Sequence, residues 1–148
     1  NTELLLMFAA RSQNVNQIIL PAINAGRWVI ADRFTDASFA YQGGGRGVPL
    51  ESIAILAKLV QGDLKPDMTL LLDAPVEVGF KRLQDRGMKD RIETEEIEFF
   101  KRVRKQYLAS AKKYSDRYRI VAADQPLGHV EQAIKEILSP FIEKCRVK

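Results

Sequence analysis

The sequence predicts an α/β fold built on a parallel sheet, and three observations carry that expectation. Apolar runs at Trp28–Ala31, at Met68–Leu72 with Thr69 its one polar residue, and at Ile120–Ala122 read as strands, the first with the make-up of one buried on both faces. Segments with helical spacing of apolar residues separate them, and strands separated by helices pair in parallel through right-handed crossovers. With 148 residues, 46% hydrophobic and 28% charged, the chain can bury one core and reads as a single domain over residues 1–148.

Taken in order, Thr2 to about Ala25 reads as a helix, with Pro21 as a kink and Gly26 as its stop. The first apolar run follows, and then a glycine-rich loop from Gly43 to Gly47. Pro49 opens a second helix, with Leu50, Ile53, Ala57 and Val60 on one face and Gly62 closing it. After the second run, Pro75 starts a helix with a Val76, Phe80 and Leu83 stripe. A polar break from Gly87 to Asp90 leads to a long amphipathic helix carrying Ile97, Phe100, Val103, Tyr107, Ala111 and Tyr114. Beyond the third run, Val130, Ile134, Ile137, Leu138 and Phe141 mark a last helix.

No apolar run approaches the roughly 18 residues of a membrane helix, so no membrane partner is expected. The first residues carry no basic leader and read as a helix already under way, so the chain is expected to be truncated at its start. Cys145 is the single cysteine, which excludes an internal disulfide and suits a cytoplasmic protein. The net charge of +4 reads as surface charge, and no nucleic-acid partner is expected.

Each apolar run leads to an aspartate: Asp32, Asp73 and Asp124. Parallel sheets bind ligands at their carboxyl edge, so three carboxylates there point to a metal or polar ligand, although aspartate also simply ends strands. Asp32-Arg33 suits a Mg²⁺-phosphate ligand, the carboxylate ordering metal-bound water and the guanidinium forking a phosphate; a local ion pair is the alternative. In Ser38-Phe39-Ala40-Tyr41-Gln42-Gly43-Gly44-Gly45-Arg46-Gly47, the glycines would let backbone N–H groups approach an anion while Tyr41 and Gln42 frame a base. Glycines in such a run equally suit a flexible connection. Phe8 and Arg11 share a helix face, where they would stack and hydrogen-bond a planar base, unless the one is core and the other solvated. From Lys81 to Arg91, five cations against two carboxylates leave +3, the charge that phosphoryl transfer needs or a solvated helix end. His129 has no partner in the pattern and reads as structural.

Together Leu6–Arg11, Trp28–Arg33, Ala40–Gly47, Pro66–Asp73 and Asp90–Glu93 resemble the thymidylate kinase family, in order and at its spacing, over the whole chain. The resemblance implies a three-layer P-loop nucleoside monophosphate kinase fold. This chain would be its C-terminal part, retaining three of five parallel strands and lacking the N-terminal ones. It implies phosphoryl transfer from ATP to dTMP, giving dTDP and ADP, with Mg²⁺ as cofactor. Phe8 would stack on thymine, Arg11 and Ser38 would meet its edge, and Tyr41 would pack on the deoxyribose. Arg33 would hold the acceptor phosphate, with Gln42 completing that wall, and Asp32 would orient Mg²⁺ through water. A lid at about 81–94 would supply Arg86 and Arg91 to the transferring group, and Arg82, Gln125 and Pro126 would flank adenine. No Gly-x-x-x-x-Gly-Lys-Ser/Thr occurs in the chain, so this stretch alone is expected to be inactive. A deoxynucleoside kinase of the same fold and a non-catalytic nucleotide-binding module are the alternatives.

The first two helices hold more apolar residues than one sheet face can cover. They are Leu4, Leu5, Met7, Ile18, Ile19, Ala22 and Ile23 in the first, and Leu50, Ile53, Leu56, Ala57 and Val60 in the second. A homodimer through these helices is expected, as the family resemblance also implies.

Overall fold

The structure, a computed structural model, describes residues 2–85 and 94–146. The first helix runs as α1 (Thr2–Asn14), a π-helical stretch (Val15–Ile19) and α2 (Leu20–Asn24). Pro21 sits in the first turn of α2, where its missing N–H is harmless, and the Leu20 N–H reaches back to the Val15 carbonyl. The expected kink at Pro21 is therefore a widened turn just ahead of it. Gly26, at φ 70°, ends the helix.

Trp28–Ala31 forms no strand, which corrects the expected three strands to two among the described residues. The run has no regular secondary structure and no strand partner, and Ile30 is 96% exposed. A strand exists only through a hydrogen-bonded neighbour, and the two described strands pair with each other. Trp28 instead meets Phe141 edge to face at 5.9 Å.

Next come α3 (Thr35–Ser38), a second π-helical stretch (Phe39–Gly45) and α4 (Leu50–Gln61). The expected glycine loop is thus mostly helical and half buried, for a packing reason. A Cβ on Gly44 would lie 2.5 Å from that of Gln106, and one on Gly45 would lie 2.5 Å from Phe99 Cε2. Bare backbone lets this turn press against the long helix α6 (Thr94–Lys113). The neighbouring N–H groups are also committed: Arg46, Gly47 and Val48 donate to the carbonyls of Tyr41, Gly43 and Gln42.

β1 (Thr69–Asp73) and β2 (Tyr118–Ala122) pair in parallel, from Thr69 opposite Tyr118 to Asp73 opposite Ala122. Between them in the chain lie α5 (Val76–Asp85) and α6; α7 (Leu127–Arg146) follows β2. Parallel pairing and the order of these elements agree with the sequence. The core is Leu4 and Phe8 of α1 against Ile53 and Ala57 of α4, with Phe39, Val48, Leu56 and Val60 around it. These α1 and α4 residues follow i, i+4 spacing, so one stripe from each helix meets the other. No described helix is long and apolar enough to cross a membrane.

Candidate functional site

Arg11 is the hub of the first cluster. One face of its helix carries Phe8, which is 2% exposed, and the Arg11 guanidinium lies over that ring at 4.6 Å and over Phe34 at 5.6 Å. Its Nη2 donates to Ser38 Oγ at 3.0 Å and reaches the Phe34 carbonyl at 3.5 Å. Nη1 is enclosed without a hydrogen-bond partner among the described residues. Burial holds the Arg11 pKa below its ordinary value, with the Asp36 charge opposing. The positive charge persists, because arginine ionises far above neutrality.

Asp32 and Arg33 are exposed at a bend beside this cluster. Arg33 holds φ 66°, the only non-glycine residue with positive φ among those described. A side chain in that region costs about 1–2 kcal/mol, and such strain gathers at functional positions. The Arg33 guanidinium lies 5.1 Å from the Tyr41 ring centre. Tyr41 in turn meets Phe99, Phe100 and Tyr107 of α6 edge-on, at 6.2 to 6.4 Å. Burial, then Tyr41, pushes the Tyr107 hydroxyl up to about 12, so it stays protonated at neutral pH. Gln42 is buried and donates to Glu3 at 3.3 Å, while its Oε1 has no partner among the described residues.

The second cluster lies at the carboxyl edge of the sheet. Arg82 of α5 donates to the Ala123 carbonyl at 2.9 Å, which places it beside Asp124, Gln125 and Pro126. Asp73 ends β1 and is forked by Arg104 of α6 at 2.7 and 2.8 Å, so this aspartate answers a cation of its own chain rather than a metal. A cleft of about 320 Å³ is lined by Tyr41, Phe80, Phe100 and Tyr107 together with Asp73 and Arg104.

The structure therefore brings Phe8, Arg11 and Ser38 together, and Arg33 with Tyr41. Gln42 faces Glu3, and Arg82 reaches the Ala123 carbonyl, two residues ahead of Gln125 and three ahead of Pro126 in sequence. Arg86 and Arg91 lie outside the described residues, as does most of the expected 81–94 lid. The described residues hold no group of three or more His, Cys, Asp or Glu side chains able to ligate a metal, so Asp32 stands as a single carboxylate. The sequence reading missed Phe34, Tyr107 and Arg104. Tyr107 lies on the Phe100–Val103 stripe and looked like core; Arg104 and Asp73 are 31 residues apart on different elements, with no local signal.

A parallel sheet with guanidinium and carboxylate groups at its carboxyl edge has the arrangement of an α/β ligand-binding protein. Residues 1–134 match the model of the family described as thymidylate kinase. The thymidylate kinase of Pseudomonas entomophila is 53% identical over 99% of this chain and 70% of its own length. That of Vesicomyosocius okutanii is 51% identical, over 93% of this chain and 67% of its own length. The chain belongs to the thymidylate kinase family, and is accordingly a phosphotransferase of nucleotide biosynthesis.

Proposed function

We propose that the intact protein transfers a phosphoryl group from ATP to dTMP, giving dTDP and ADP, with the nucleobase read at the Arg11 cluster of this chain. The observation that carries the reading is Arg11 itself: one nitrogen is bonded to Ser38, and the other is enclosed without a partner. A buried donor costs about 1–3 kcal/mol until an acceptor meets it, and an exocyclic carbonyl of a pyrimidine is such an acceptor. Phe8 lies beneath the guanidinium, so stacking of the base on Phe8 requires Arg11 to move to the edge of the ring. Ser38 shares that edge, Tyr41 packs on the deoxyribose, and Gln42 completes the wall.

Arg33 would hold the acceptor phosphate, while Arg82, Gln125 and Pro126 flank adenine. Arg86 and Arg91 would neutralise charge on the transferring group, since phosphoryl transfer relies on positioning and charge stabilisation. Asp32 fits Mg²⁺: its hard oxygens are exposed and make no ion pair among the described residues. Mg²⁺ commonly keeps its waters and takes one or two carboxylates, and it would offset phosphate charge there. The family implies a P-loop nucleoside monophosphate kinase fold, compatible with the parallel pair, and we extend this to the three-layer form. The family match favours this reading over a deoxynucleoside kinase or a non-catalytic module.

A coupled assay across nucleoside monophosphates tests it. dTMP should be the preferred acceptor, and Arg11→Met should raise its KM on the order of tenfold or more, from a lost charged hydrogen bond. A preference for AMP, or an unchanged KM, would overturn the assignment. We also propose a homodimer through the first helix, from α1 to α2, and α4. Leu4, Ile53 and Ala57 are used in the subunit's own core, whereas Leu5, Ile18, Ile23 and Leu50 remain exposed. Light scattering should give twice the subunit mass; a monomer at micromolar concentration removes the proposal.

A further inference from the structure

We propose that the Asp36–Arg117 ion pair is a positioning element for nucleobase recognition, holding α3 in the register that presents Ser38 to Arg11. The inference rests on the reading that Arg11 and Ser38 meet the base. Helix α3 runs without a break into the π-helical stretch Phe39–Gly45, which packs on α6 and holds its far end. Phe34 ahead of it offers no side-chain cap, so its first turn needs anchoring from elsewhere.

Two ties supply it. The Thr35 hydroxyl donates to Gln61 at the end of α4. Arg117 forks Asp36, with Nη2 to Oδ1 at 2.7 Å and Nη1 to Oδ2 at 2.9 Å, and both side chains are about 15% exposed or less. A planar fork on a carboxylate fixes direction as well as distance.

Arg117 is itself immobilised at the start of the sheet. Its carbonyl accepts the Thr69 N–H at 2.9 Å, and its Nη1 also donates to Thr69 Oγ1 at 2.5 Å. The guanidinium is 5.3 Å from the Tyr114 ring centre and 4.7 Å from that of Tyr118. Burial pulls the Arg117 pKa down, but the hydrogen bonds and charge of Asp36 outweigh it and the net shift is upward. The pair thus links the amino end of the sheet to a helix 81 residues away in sequence.

Ser38 follows Asp36 by two residues, is fully buried, and accepts the Arg11 hydrogen bond. A shift of α3 therefore moves the hydroxyl that Arg11 is built to meet. The groups assigned to adenine lie on α5 and after β2, at the opposite end of the strand from Arg117. Loss of the fork should weaken dTMP binding and leave ATP binding alone. Buried ion pairs add little net stability against apolar replacements, which favours a geometric role for this one.

The test uses the active enzyme. In the double variant Asp36→Leu/Arg117→Met no charge is left buried alone, and Arg117→Lys keeps the charge without the fork. The double variant should raise the KM for dTMP by about tenfold, with kcat and the KM for ATP within about twofold. Arg117→Lys should fall between it and the parent, and it carries the test if the double variant does not fold. An unchanged KM for dTMP overturns the proposal. A fall in kcat and a rise in both KM values together, with a lower melting temperature, overturns it too, since that is a merely structural pair. Ser38→Ala serves as control: if it leaves the KM for dTMP unchanged, the reading of the base site fails and the positioning role with it, whereas a raised KM there with an unchanged KM in the double variant overturns the positioning role alone.

Discussion

The helical region around α1 and α4 and the sheet region around β1 and β2 are both rich in apolar residues, yet they end very differently. Leu4, Phe8, Ile53 and Ala57 close on one another and exclude water. In the sheet, Val121 is buried, but Ile120 beside it is half exposed and Leu72 is 53% exposed. The strands were expected to be covered on both faces, and here β2 buries only Tyr118 and Val121 while β1 is no more than partly buried along its length. An apolar side chain favours burial in either place. Helix α1 finds its partner stripe within this chain, whereas a sheet face needs a whole layer laid over it.

The largest contrast should appear in stability. Phe8→Ala should cost about 3–5 kcal/mol, whereas Leu72→Ala should cost under about 1 kcal/mol, because little is removed from an enclosed core. Urea denaturation of the two variants measures this, and equal losses would break the comparison. A smaller effect should separate two glycines. Gly45→Ala drives a Cβ into Phe99 and should cost about 1–3 kcal/mol by overpacking. Gly26 has open space around it, so Gly26→Ala meets only the strain of positive φ, about 1 kcal/mol. Calorimetry giving the reverse order would show that the turn against α6 yields easily.

The smallest effect lies at alkaline pH, at Tyr107 of α6. Its pKa is raised from 10 to about 12, so the folded state holds the proton more tightly than the unfolded one. Its contribution is full below pH 10 and is lost as the pH rises towards 12. Tyr107 is only partly buried, so screening reduces the effect to about 1 kcal/mol. Tyr118 is shifted in the same direction by burial and Asp36, so Tyr107→Phe should remove part of the alkaline loss rather than all of it. An unaltered profile for Tyr107→Phe would show that its ring is more open to water than its packing indicates.

Helices were legible wherever spacing and punctuation agreed. Pro49 and Gly62 bracket α4 within a residue, and the α6 stripe ran true through Val103 and Ala111. Trp28–Ala31 misled because its composition fits a strand, while pairing depends on a neighbour that no local pattern encodes. The glycine run misled for a related reason: glycine permits both a loop and a close approach, and only Phe99 and Gln106, more than fifty residues on, decide between them. In the site, Phe8 and Arg11 could be read together because helical spacing places them on one face. Their link to Ser38, 27 residues from Arg11, follows from the fold and not from spacing.

Arg33 carries a consequence for the history of such a chain. Its backbone sits where glycine or asparagine is at ease and arginine is not. Any selection for heat resistance alone would drift towards Arg33→Gly, shedding about 1 kcal/mol of strain together with the charge. A lineage that keeps arginine at this bend is trading durability for a cation held against Tyr41. The position therefore works as a gauge: heated libraries should enrich glycine there, and libraries screened for turnover should return to arginine.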